Sequence, residues 1–169
     1  MSKAFTRESD DEPELPRPRP RSLLPLGAKN YLTPQGADRL RAELDRLVQV
    51  ERPRLATTPE DLDAKRQLQL LEQRIQHLQQ SLHSAVVVTP PATPWEQVRF
   101  GATVSVRTSL GQSEGYRIVG VDEVDIGQGW VSWISPIAKA LLNARIGERV
   151  RFKFPSGEAE LEIVGIRYE

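Results

Sequence analysis

Apolar side chains return every three or four positions between residues 33 and 85, and from residue 95 onward they alternate with polar ones. The first period is helical and the second extended, so the pattern divides the chain into two differently built parts. Thr33 is a good N-cap and Pro34 suits the first helical position. Leu40, Leu44, Leu47 and Leu55 then keep one stripe in line, while Asp38, Arg41, Asp45 and Arg52 occupy the other faces. Pro53 falls late in this helix, where its ring crowds the preceding turn and should kink or weaken the last one. After a polar break at 56–58 a second helix carries Ala64, Leu68, Leu71, Ile75, Leu78, Leu82 and Ala85 in alternating steps of four and three, the spacing of a coiled-coil seam. Helices joined this closely must run antiparallel, which predicts a hairpin over residues 31–89 with both stripes facing each other. Residues 86–89 leave the helix, and Pro90, Pro91 and Pro94 make residues 90–94 a stiff connector.

Beyond it, Val104 and Val106, Tyr116 and Ile118, Val150, Phe152 and Phe154, and Leu161 and Ile163 alternate with polar neighbours, each group reading as a half-buried strand. Turn residues at 109–111, 127–129 and 155–157 separate the strands. Ser135 as N-cap, Pro136 in the first turn, a body at 138–142 and Gly147 beyond predict one short helix. The fold class is therefore α+β: an N-terminal antiparallel helical hairpin, then a mostly antiparallel sheet domain with one short helix over residues 95–169.

Composition changes the picture mainly by exclusion. The first 30 residues hold five prolines between Pro13 and Pro25 and little to bury, so a disordered tail is expected there. In it Arg17, Arg19 and Arg21 alternate with Pro16, Pro18 and Pro20, an extended spacing suited to a solvated linker or to contact with an acidic surface. Lys plus Arg number 23 and Asp plus Glu 23, which removes any global basic field and argues against strong independent DNA binding. There is no cysteine, so disulfides, thiol catalysis and thiolate metal sites are excluded. No apolar run reaches the roughly 18 residues of a membrane span, and the start lacks a signal-peptide pattern, so a cytoplasmic protein is expected.

Candidate chemistry is sparse. His77 and His83 lie on different sides of the second helix and read as solvated surface residues; the sheet domain has no histidine to activate a nucleophile. No glycine-rich phosphate loop is present. Carboxylates cluster in two places. Glu60, Asp61 and Asp63 at the hairpin turn could bind Mg²⁺, a hard cation with a preference for oxygen, but Thr58-Pro59-Glu60 is also the pattern that simply starts a helix. Asp122, Glu123 and Asp125 read as a charged strand end, or as a docking contact for a basic partner.

Several segments resemble the GreA/GreB transcript-cleavage factors of bacterial RNA polymerase. Tyr31-Leu32-Thr33-Pro34-Gln35-Gly36 with Leu40, Glu43 and Leu44 looks like the opening of that family's first hairpin helix, and Glu51-Arg52-Pro53 is similar to a stretch of the GreB branch. In the sheet part Phe100-Gly101-Ala102, Tyr116-Arg117-Ile118-Val119-Gly120, the run from Ser135 through Leu142, Gly147 and Pro155-Ser156-Gly157-Glu158-Ala159 resemble successive family motifs in order. The resemblance spans residues 31–169.

It implies an FKBP-like sheet domain that docks at the rim of the polymerase secondary channel and directs a coiled-coil hairpin toward the active site. The family's tip carboxylates help hold a catalytic Mg²⁺ of the polymerase, which itself cuts the backtracked transcript; the factor is not an enzyme alone. Carried onto this chain, the resemblance puts polymerase binding at Ser135, Pro136, Ile137, Ala138, Lys139 and Leu141, and makes Glu60, Asp61 and Asp63 the candidate tip carboxylates. Two departures stand out. The family's Asp-x-x-Glu-Asn tip is missing between Leu55 and Leu68, where the chain is about a dozen residues short, or roughly 10 Å of reach at 1.5 Å per residue over two arms. Ile134 also stands where GreB-like sequences carry an acid. The expectation is a monomeric elongation factor that meets nucleic acid only through the elongation complex. The alternatives are a channel-occupying regulator without cleavage stimulation, as in Rnk-like relatives, and a coiled-coil oligomer built on the seam at 68–82. A peptidyl-prolyl isomerase rests on the FKBP-like form alone.

Overall fold

A computed structural model of the protein describes residues 24–57 and 62–169. Most of the tail expected at 1–30 lies outside the described residues, and its last member, Asn30, opens strand β1 (Asn30–Leu32). Thr33 follows in an extended conformation and its hydroxyl accepts from the Gly36 N–H at 2.9 Å, starting helix α1 (Pro34–Arg46) as its sequence predicts. The expected disturbance at Pro53 takes the form of a π-helical stretch, Leu47–Glu51, after which the backbone N–H of Arg52 reaches five residues back to the Leu47 carbonyl. The wider turn precedes α2 (Arg52–Ala56), in which Pro53 occupies the first turn, where no N–H is required.

Helix α3 (Leu62–Ser84) returns along the first arm. Asn30 donates to the Ser81 carbonyl, Glu43 pairs with Arg74 and Arg52 with Glu72, so partner numbers fall on one arm as they rise on the other. The arms are therefore antiparallel. Along the facing stripe Ala64, Ile75 and Leu78 are buried, with Leu68, Leu71 and Leu82 half-buried, and Leu32, Ala37, Leu40 and Leu47 complete the hairpin core. Ala85, read as the last seam position of a helix, instead begins strand β2 (Ala85–Val87). This short strand, in a stretch expected only to leave the helix, pairs in parallel with β1 in the register Asn30↔Ala85 and ties both ends of the hairpin together. Neither strand was legible, because three residues are too few to show alternation.

The second half forms a five-stranded sheet in the order β5-β4-β3-β7-β6. Strands β3 (Thr103–Thr108), β4 (Ser113–Val119), β6 (Arg149–Phe154) and β7 (Gly157–Arg167) are the expected ones and pair antiparallel. Strand β5 (Trp130–Ser132) is an addition that runs parallel to β4. The short helix α4 (Pro136–Leu141) packs Ala138 and Leu141 into a core with Val98, Val104, Val106, Ile118, Leu161 and Ile163. Alternation fails at the end of β4, where Arg117, Ile118 and Val119 are all buried because the base of the hairpin covers the outer side. Among the described residues no helix is long and apolar enough to cross a membrane.

Two predictions follow from this packing. Leu78 has no exposed surface and lies in the middle of the hairpin core, so Leu78→Ala should cost about 2–5 kcal/mol in urea unfolding, whereas Leu70→Ala, 58% exposed on the same helix, should stay within about 0.5 kcal/mol. On β4, burial and a hydrogen bond to Glu114 push the Tyr116 phenol up to about 12. Its folded pKa is raised, so its share of stability is present below about pH 10 and lost as pH rises toward 12. Ultraviolet titration of tyrosinate should show a late component that Tyr116→Phe removes.

Candidate functional site

Three places carry the polar chemistry: the hairpin tip, the surface of α4 and the junction between hairpin and sheet. Of the tip carboxylates, Glu60 and Asp61 lie outside the described residues, while Asp63 stands exposed in the first turn of α3, favourably near its positive dipole end. Among the described residues no group of three or more His, Cys, Asp or Glu side chains comes together to hold a metal ion.

Helix α4 begins as its sequence dictates, the Ser135 hydroxyl accepting from the Ala138 N–H at 3.2 Å. Of the six residues read as polymerase-binding, Ala138 and Leu141 are completely buried and cannot present their side chains to a partner. An apolar residue on the inner face of so short a helix goes to the core. Ile137 is half-buried against that core, which leaves Pro136 and Lys139 as the exposed positions beside half-buried Ser135.

The junction is where the structure departs most from the sequence reading. Asp122 and Glu123 do not form a solvated strand end; they lie on a 3₁₀ turn, Val121–Glu123, turned toward the hairpin. Glu123 is 5% exposed and its carboxylate accepts from the Thr33 N–H at 2.9 Å, from the Gly120 N–H at 2.9 Å and from the Thr33 hydroxyl. Arg39 adds a looser ion pair at 3.9 Å. The neighbouring Asp122 accepts from the Ser81 hydroxyl and sits 2.9 Å from His77 Nε2. His77 is thus not the solvated residue its spacing indicated; a carboxylate 45 positions away occupies it. His83 is exposed as expected. Asp125 stays at the rim, where Gln128 Nε2 donates to it at 3.2 Å.

Further contacts close the junction. Arg117, buried in β4, donates to Gln35 at the start of α1 and to Glu169 at 3.0 Å. Two guanidinium groups lie over the Trp130 ring, Arg39 from the hairpin at 4.5 Å and Arg117 from the sheet at 5.1 Å. Tyr31 meets Trp133 edge-on at 5.1 Å and Phe100 at 5.6 Å. On the hairpin, hydrogen bonding to both Glu43 oxygens raises the Arg74 guanidinium above its ordinary value, so Arg74 keeps its charge in the pair.

Against this geometry, residues 92–168 match the family description "Transcription elongation factor, GreA/GreB, C-term". The transcription elongation factor GreB of Neisseria meningitidis serogroup A is 38% identical over 154 residues, covering 83% of this chain and 94% of that protein. The transcription elongation factor GreA of Alkalilimnicola ehrlichii is 43% identical over 156 residues, covering 83% and 99%. Among solved structures, the GreA factor homolog Gfh1 of Thermus thermophilus shares 26% identity over 83% of this chain and 99% of its own, with a TM-score of 0.40. The chain belongs to the GreA/GreB family of transcription elongation factors. Relatives of both branches match, so the assignment is to the family and not to one branch. The two sequence matches run over 154 and 156 positions yet take in only 83% of 169 residues, so each includes positions this chain lacks.

Thr33 combines two roles, helix cap and partner of a buried carboxylate. Thr33→Ala should therefore cost at least the roughly 1–2 kcal/mol of a lost cap, with Thr33→Ser recovering most of it, as read from urea midpoints.

Proposed function

We propose that this elongation factor binds bacterial RNA polymerase at the secondary channel and places its shortened coiled-coil hairpin in the channel mouth, acting as a channel-occupying regulator. The observation that carries the reading is the pairing of a hairpin, each arm about 35 Å long at 1.5 Å per residue, with a sheet domain clamped to its base. Such a body can dock by one end and probe with the other. The sheet domain, FKBP-like in this reading, offers Pro136 and Lys139 with the flanking Ser135 and Ile137 as the docking surface. Ile75 and Leu78 are already buried against the first arm of the same chain, which supports a monomer over an oligomer assembled on that seam. The protein acts in the cytoplasm through the polymerase and has no catalytic centre of its own.

The finer division, between regulation alone and stimulation of transcript cleavage, turns on the tip. In the cleavage reaction the Mg²⁺ is the polymerase's, activating the water that attacks the phosphodiester. Glu60, Asp61 and Asp63 supply the right oxygen chemistry, but an arm shortened by roughly 10 Å holds them back from it. A 1 Å error can already cost about a hundredfold in such geometry.

The test uses core polymerase and a stalled, backtracked elongation complex. Wild type should be retained by polymerase, and Lys139→Glu should weaken retention about tenfold or more. Transcript cleavage should be weak and equal in wild type and in the Glu60→Ala, Asp61→Ala, Asp63→Ala triple variant. Strong cleavage that the triple variant abolishes would make the protein a cleavage factor, and failure of wild type to bind polymerase would overturn the docking.

A further inference from the structure

We infer that Glu123 is a positioning residue: its buried carboxylate fixes the direction in which the hairpin leaves the sheet domain, and so the place at which the tip arrives. The inference deepens the reading above and depends on it only for its effect on polymerase.

The grip begins with donors drawn from both units. The Thr33 N–H and hydroxyl come from the hairpin and the Gly120 N–H from the sheet domain, so satisfying one carboxylate requires both to be in place. A buried carboxylate that lost one set of donors would face a desolvation cost, which the looser ion pair with Arg39 at 3.9 Å offsets only in part. The approach is also close enough to forbid side chains on either side. A Cβ on Gly36 would stand 1.8 Å from Glu123 Oε1, and a Cβ on Gly120 2.2 Å from the Tyr31 carbonyl oxygen. Neither glycine has a positive φ, so proximity and not backbone conformation accounts for them.

One anchor alone would leave a pivot. The adjacent Asp122 removes it by holding Ser81 and His77 of the other arm, so two consecutive carboxylates on one turn each grip one arm. Arg39 over Trp130 and Gln35 against Arg117 add two more directional contacts between hairpin and sheet domain. Leverage makes this matter: with an arm of about 35 Å, a swing of roughly 10° at the base moves the tip by about 6 Å. That exceeds by several-fold the misplacement that a positioned chemical group tolerates.

The absence of native cysteine makes a clean distance measurement available. Leu70→Cys on α3 and Leu110→Cys in the β3–β4 turn, both exposed, would carry a spin-label pair in the full chain. Pulsed electron resonance should give one narrow distance distribution for the otherwise unaltered protein. Glu123→Ala should broaden it about twofold or more. Gly36→Ala should do the same, although alanine is the better helix former, because its methyl displaces the carboxylate. Glu123→Gln keeps a carbonyl oxygen for the two backbone N–H donors and should restore most of the narrowness, which a general loss of packing would not allow. An unchanged distribution in Gly36→Ala overturns the inference, and that variant decides the matter if Glu123→Ala fails to fold. On polymerase, Glu123→Ala should bind within about threefold of wild type while its effect on elongation falls about tenfold. An undiminished effect would overturn the inference at that level. Failure of wild type itself to bind would sink the docking reading instead and leave the distance result standing.

Discussion

A carboxylate almost removed from water needs hydrogen-bond donors at both oxygens, and Glu123 finds them only where the start of the hairpin meets the sheet domain. Much of the surrounding sequence serves that one requirement. Thr33 must be a residue with a hydroxyl, since it caps α1 and donates to Glu123 at once. Gly36 and Gly120 must lack side chains because the carboxylate and the Tyr31 carbonyl occupy the space. The first turn of α1 adds its own favourable field, since a helix N-terminus stabilises a nearby negative charge.

Around this point the molecule is built from two cores that share little. The hairpin core runs along the seam from Leu32 to Ile75 and Leu78, and the sheet core centres on Val104, Ile118, Leu141 and Ile163. Apolar burial stabilises each unit but says little about the angle between them, because it has no direction of its own. The angle falls to directional contacts: the two carboxylates, the Arg117 fork and the Trp130 ring with its two guanidinium neighbours. For an elongation factor with a projecting hairpin, that division of labour separates stability, which resides in the cores, from aim, which resides in the junction.

Most of the architecture was legible in the sequence because it rests on short-range rules. The four-three spacing through Leu68, Leu71, Ile75, Leu78 and Leu82 required a helix with one buried stripe, and the alternation at Val104 and Val106 required a strand with one buried face. Thr33-Pro34 and Ser135-Pro136 marked helix starts at the residues where the helices begin. Pro53 announced a disturbance in the first arm, although not that it would take π form. The strands β1, β2 and β5 were hidden because each is three residues long and exists only through its partner.

The sequence by itself therefore determined the two units, their periods, their caps and the family resemblance, since each depends on residues within a few positions of one another. The tertiary structure alone decided what the polar residues do. Glu123 looked like part of a charged strand end, yet its partner Thr33 lies 90 positions away, and His77 looked solvated until Asp122, 45 positions on, was brought beside it. Ala138 and Leu141 likewise passed for surface contacts until the sheet closed over them. A carboxylate, an imidazole or a methyl group carries no local sign of its distant neighbour; only the docking of one folded unit on the other supplies it.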